Sequence, residues 1–196
     1  MILAKLLTGN SKYILCGIVA LLAIASPGHA TPPTKTTSVV VEKQLSGGTQ
    51  DVVDKVMSFL PEAREAHEAY PDVPVSVILT VIHIESGGEP TKVNKVSKAA
   101  GLMQIVPGPH GAYFKAFGLT SETALDPASS ILAGTEILHA HMIACKKRWG
   151  GSLKYVLAAY NRGAGNIDGS YPSLDATALG YLKMYNKVAP LYKDIE

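Results

Sequence analysis

A chain of 196 residues, 47% hydrophobic and 17% charged, is long enough for one domain with a sizeable core. Its formal charge of +2 excludes the strong basic excess of a nucleic-acid binder. Of its two cysteines, Cys16 lies in an N-terminal segment expected to be removed, which leaves Cys145 without an intramolecular disulfide partner, so the fold has to rest on packing.

The chain opens with Lys5 and Lys12, an apolar run from Tyr13 to Ala25, and Pro27-Gly28-His29-Ala30 before Thr31. This order predicts a secretory signal peptide over residues 1–30, cleaved after Ala30. The run is short for a membrane span. Cys16 follows Leu15, where lipidation would want a small residue. Cleavage takes away two of the 18 basic residues and none of the 16 acidic ones, so the remainder is formally neutral. Any attraction to an anionic polymer is then local.

Residues 31–50 are rich in Thr, Pro, Ser and Gly without helical periodicity, which predicts a flexible tether ahead of a domain at 51–196. Val52, Val53, Val56, Met57 and Leu60 then recur at helical spacing up to Pro61, and Ala63, Ala66, His67 and Tyr70 resume it. Two short helices and one kinked helix fit equally well.

Asp72 is placed to cap the next helix and Pro74 to occupy its first turn. Val75, Ile78, Leu79, Val81 and Ile82 cover most of that helix, the pattern of one lying in the middle of a domain. Glu85 stands at its end, with Gly87 placed to stop it. Apolar burial and the negative end of the helix dipole both raise a carboxyl pKa, and a carboxyl kept protonated near neutral pH is a general acid. From this helix alone, a Glu85 that has already reached solvent fits as well.

Gly87-Gly88-Glu89-Pro90 forces a loop that the polar run to Lys98 continues, and Gly101 to Val106 predicts an ordered piece with a helical turn before Pro107. A further turn is expected at Tyr113 to Gly118. Asp126 and Pro127 then open a helix with Ile131, Thr135, Leu138, Met142, Cys145 and Trp149 on a core face. Gly134 inside it costs stability unless another backbone packs closely there. After Gly150-Gly151, Ser152 is placed to cap a helix burying Leu153, Val156, Leu157 and Tyr160, and Asn161 to Gly169 reads as a loop. A last helix over Thr177–Val188 carries Ala178, Tyr181, Leu182 and Tyr185, with Pro190 ending it. No alternating strand pattern appears, so the architecture is mainly α.

Metal and cofactor chemistry finds little footing. His83-Ile84-Glu85 is half of a zinc-deaminase signature without its cysteines, and His139 and His141 point to different faces of a helix. Gly163-Ala164-Gly165 follows a helix, where a phosphate loop follows a strand. The prediction is no metal and no cofactor.

Three separated motifs add a resemblance. Glu85-Ser86-Gly87, then Ser97, then Ala99-Ala100-Gly101-Leu102-Met103-Gln104-Ile105-Val106-Pro107, and later Ala159-Tyr160-Asn161-Arg162-Gly163-Ala164-Gly165, are similar in kind and order to the soluble lytic transglycosylase family, over about Tyr70 to Tyr185. The resemblance implies a lysozyme-like single α domain of about six to eight helices with a substrate groove, and peptidoglycan glycan strands as its partner. It implies non-hydrolytic cleavage of the MurNAc–GlcNAc β-1,4 bond by one glutamate acting as acid and then base. The substrate's acetamido group and C6 hydroxyl replace a protein nucleophile and water, leaving a 1,6-anhydroMurNAc end.

By the same resemblance Glu85 is the catalytic residue, and Ser86 orients it or the sugar. Met103 and Gln104 contact the glycan, Tyr160 lies near the acid, Asn161 bonds to the sugar or holds its loop, and Tyr181 falls near the family's late tyrosine. Read alone, Ser86 is a helix-terminal residue, Met103 gap filler, Gln104 a surface amide and Tyr160 a packing residue. Glu89, Glu122, Asp126 and Asp168 are the candidate companion carboxylates, and none is singled out by its surroundings. Lys98 stands where the family usually has Gly, Gly88 where an aromatic is common, and Ala176-Thr177 where Glu-Thr is usual.

With the signal peptide, the expected location is the periplasm. The small domain behind a tether is also similar to specialised members that serve secretion or conjugation machines, which adds such an apparatus as an expected partner. Two rivals stay open: a hydrolytic muramidase, which needs a second carboxylate or a well-held water, and a non-catalytic peptidoglycan-binding protein.

Overall fold

A computed structural model describes residues 47–106, 118, 120, 123–163 and 174–196, all within one compact unit, Lys43–Glu196. The signal peptide, the tether up to residue 46, most of the turn expected at Tyr113–Gly118 and most of the loop after Asn161 lie outside the described residues. Among those described there are six α-helices, two 3-10 turns and no strand, in keeping with the helical periodicity of the sequence.

Helix α1, Gly47–Met57, starts four residues inside the expected tether and buries Val56. Helix α2, Leu60–Ala69, is separate from it, which decides between the two readings of this stretch. Pro61 lacks an N–H and fits the first turn of a new helix, where none is needed.

Helix α3, Val75–Ser86, buries Val75, Val77 to Ile82 and Ser86. It packs against α1 and α2 and against the C-terminal part of the chain, and so lies in the middle as its apolar surface predicts. Asp72 does not cap it. Pro74 is the N-cap, in extended conformation, and the Asp72 carboxylate pairs with His139 Nδ1 at 2.6 Å instead. At the other end Gly87, at φ 65°, donates its N–H to Ile82 O and His83 O and stops the helix.

The loop that follows folds back on itself through bridges between Val93 and Ala100 and between Ala100 and Ile105. Gly101, at φ 78°, admits no side chain, because a Cβ there would stand 2.0 Å from Ala124 O. Lys98 and Gln104 take left-handed backbone without being glycine, at φ 62° and 47°. That conformation costs an ordinary residue about 1–2 kcal/mol.

Helix α4, Pro127–Trp149, is capped by Asp126, whose carboxylate accepts from Ser129 N at 2.9 Å. Ile131, Thr135, Leu138 and Cys145 are buried on the predicted face. Gly134 faces a side chain where a backbone was expected: a Cβ there would meet Met103 Sδ at 2.4 Å.

Helix α5, Leu153–Arg162, has Ser152 at its N-cap without a side-chain bond and continues through Asn161, beyond its expected end at Tyr160. Helix α6, Ala176–Val188, is capped by Asp175 through Ala178 N at 2.9 Å. A 3-10 turn, Ala189–Leu191, then delivers Tyr192 into the core, fully buried.

Candidate active site

The last turn of α3 meets α6 and the loop after Gly87 at one carboxyl. Tyr181, on α6, donates its hydroxyl to Glu85 Oε1 at 2.9 Å, across 96 residues of sequence. Lys92 reaches back from the loop and donates its ammonium to the Glu85 backbone carbonyl at 2.6 Å. Burial raises the Glu85 pKa to about 7, while the Tyr181 hydrogen bond and the Lys92 charge pull it the other way. The negative end of α3 is thus met by a cation, and desolvation carries the shift.

Two phenols stand around this acid. Tyr160, on α5, is buried and donates to Met103 O at 2.7 Å. Burial first, and the Glu85 charge second, push both Tyr160 and Tyr181 well above the ordinary tyrosine range. They remain neutral donors at any working pH. Behind Glu85, His83 Nδ1 bonds to the Tyr192 hydroxyl at 2.8 Å, tying the same turn of α3 to the end of the chain.

The remaining sequence-predicted residues divide. Ser86 lies beside Glu85 in the chain, but its Oγ is used by the backbone, donating to Ile82 O at 3.0 Å and accepting from Gly88 N at 3.2 Å. It holds the turn that ends α3. Gln104 is partly exposed, with Nε2 donating to Gly101 O at 2.9 Å and Lys92 O at 3.1 Å. Asn161 is exposed on the last turn of α5.

Met103 is fully buried, its side chain in the slot that Gly134 leaves open, and its carbonyl accepts from Tyr160.

Of the candidate companion acids, Glu89 is exposed and bonded to Thr91, and Asp126 caps α4. Glu122 and Asp168 lie outside the described residues. Among the described residues no other carboxylate perturbs Glu85. Volume alone does not mark this site: a surface cavity of about 450 Å³ opens beside Val77, Met142 and Leu153, and Glu85 is not part of its lining. Lys92 is the neighbour that sequence reasoning missed. It stands in a polar run, and its reach to Glu85 depends on the left-handed turn at Gly87 and Gly88.

A family model described as Transglycosylase SLT domain matches residues 62–171, more than half of the chain. The matched segment contains Glu85, Ser86, Met103, Gln104, Tyr160 and Asn161, and Tyr181 follows it.

Proposed function

The chain belongs to the transglycosylase SLT domain family, of all-α lysozyme-like fold and lytic transglycosylase activity on peptidoglycan, and from that premise we propose that Glu85 performs both proton transfers of a non-hydrolytic cleavage of the MurNAc–GlcNAc bond. The observation that carries this reading is a half-buried carboxyl whose desolvation raises its pKa to about 7, held at one oxygen by a phenol, with no second carboxylate acting on it among the described residues.

Protonated Glu85 gives its proton to the oxygen of the leaving GlcNAc as the bond from the MurNAc anomeric carbon breaks. The substrate's acetamido group supports the electron-poor carbon. The Glu85 carboxylate then takes the proton of the C6 hydroxyl, whose oxygen bonds to the anomeric carbon and closes a 1,6-anhydro ring. No water is consumed, and Glu85 ends protonated as it began. A pKa near the working pH suits a group that must be acid first and base second.

Tyr181 fixes the rotamer of the acid, and Tyr160 sets the position of the Met103–Gln104 backbone below the sugar. In this proposal Gln104 and Asn161 bind the glycan, and Ser86 keeps the Glu85 turn in shape. Residues 1–30 support export to the periplasm, and the small domain after a tether supports service to an envelope secretion or conjugation machine. These last two points rest on the sequence alone.

Replacing Glu85 by Gln keeps the shape and removes the titration. Release of soluble fragments from purified peptidoglycan is expected to fall by at least about 100-fold, while cosedimentation with insoluble peptidoglycan persists. Unchanged release would overturn the assignment of Glu85.

A further inference from the structure

The chain is formally near neutral, yet its charge is not evenly spread. From Pro90 to Ser121 there is no acidic residue, and the stretch Lys92-Val93-Asn94-Lys95-Val96-Ser97-Lys98 repeats lysine every third position. The loop leaves Glu85 directly, because Lys92 touches the Glu85 carbonyl and the Lys92 carbonyl accepts from Gln104 Nε2.

The loop is also stiff. Asn94 Oδ1 accepts from Val96 N at 2.9 Å and Ser97 N at 3.1 Å, and the Asn94 backbone accepts from Lys98 N and donates to Ala99 O. All residues from Thr91 to Lys98 are exposed, and Val96 is 93% exposed, the most open of the large apolar side chains described. Lys95 and Lys98 pair with no carboxylate among the described residues. Lys98 stands at a left-handed position that glycine would occupy without strain. Two exposed lysines on either side of one open apolar side chain, carried on a hydrogen-bonded backbone, suit a short acidic peptide better than a neutral sugar.

We propose that the Lys92–Lys98 loop is a docking surface for the acidic peptide stems carried by peptidoglycan, with Lys95 and Lys98 taking stem carboxylates and Val96 packing on the apolar side chains between them. This rests on peptidoglycan being the substrate, and it makes the enzyme select strands that still bear peptides. The surface is exposed, so the attraction is modest and screened by salt.

The test uses the full chain carrying Glu85→Gln, so that ligands bind without turnover. Isothermal titration compares a disaccharide bearing a tetrapeptide stem with the same disaccharide without peptide. The stem is expected to tighten binding about three- to tenfold, the range two exposed ion pairs supply. That gain disappears in Lys95→Gln/Lys98→Gln and at about 0.5 M NaCl. Lys98→Gly is expected to hold or raise the thermal midpoint while losing part of the gain, whereas a structural role for Lys98 would lower the midpoint and leave the gain.

Equal affinity for the two saccharides, or a stem preference that survives in the double variant, overturns the docking surface and leaves the glycan reading intact. Binding of neither saccharide overturns both. Tighter lysine-dependent binding of poly(glycerol phosphate) than of the stem-bearing disaccharide overturns the proposal in favour of a phosphate polymer.

Discussion

At Glu85 two influences oppose each other. Burial favours the neutral acid, and the Tyr181 hydroxyl and Lys92 ammonium favour the carboxylate. Replacing Tyr181 by Phe removes one of the influences that lower the pKa, so the pKa moves up and the protonated acid survives to higher pH. The limb of the kcat/KM profile on which activity falls as pH rises through about 7 is expected to move upward by about one unit, the worth of a hydrogen bond to a charged group. Turnover falls as the carboxylate loses its partner. A limb that stays in place or moves down contradicts this electrostatic account.

Glu85 drew notice in the sequence because an acid at the end of an apolar helix conflicts with ordinary burial rules, but the helix alone fitted a solvent-exposed acid equally well, and the motifs around it made it the candidate. Tyr181 was reached through the family's late tyrosine, since nothing local to α6 says that one of its phenols meets a carboxyl 96 residues earlier. The partner of Met103 was not legible, because the slot that holds it is made by a missing side chain on another helix, Gly134.

Among the elements, α3 is held at the turn that carries Glu85. The C-terminal part of the chain grips its last turn twice, through Tyr181 on Glu85 and Tyr192 on His83. From the other side, α4 supports the loop below: Gly134 receives Met103, whose carbonyl anchors Tyr160. Gly134→Ala forces a methyl into that contact. It is expected to cost about 1–3 kcal/mol of stability by overpacking, read by urea unfolding, and to lower turnover through Tyr160. An unchanged midpoint would show that Met103 yields freely and that the slot is not tight.

The helices themselves follow from apolar periodicity and from caps such as Asp126 and Asp175, with ends shifted by a few residues. Their pairing does not. Asp72 illustrates why: a residue well placed to cap α3 is instead taken by His139 on α4, a partner that exists only once the helices pack. Which polar group wins a side chain is decided by tertiary distance, and local sequence carries no record of it.

For the whole molecule, near-neutral charge and a compact helical unit leave recognition to local features: one half-buried acid, the phenols around it and a lysine loop at its edge. In the proposed mechanism a single carboxyl suffices because the substrate's own C6 hydroxyl takes the place of water. Digestion of purified peptidoglycan in heavy-oxygen water, with mass spectrometry of the released ends beside the Glu85→Gln protein, tests it most directly. The expected products are 1,6-anhydro ends without heavy oxygen, made only when Glu85 is present. Reducing ends that carry the heavy label and depend on Glu85 would contradict it and mark the protein as a hydrolase with a second catalytic group.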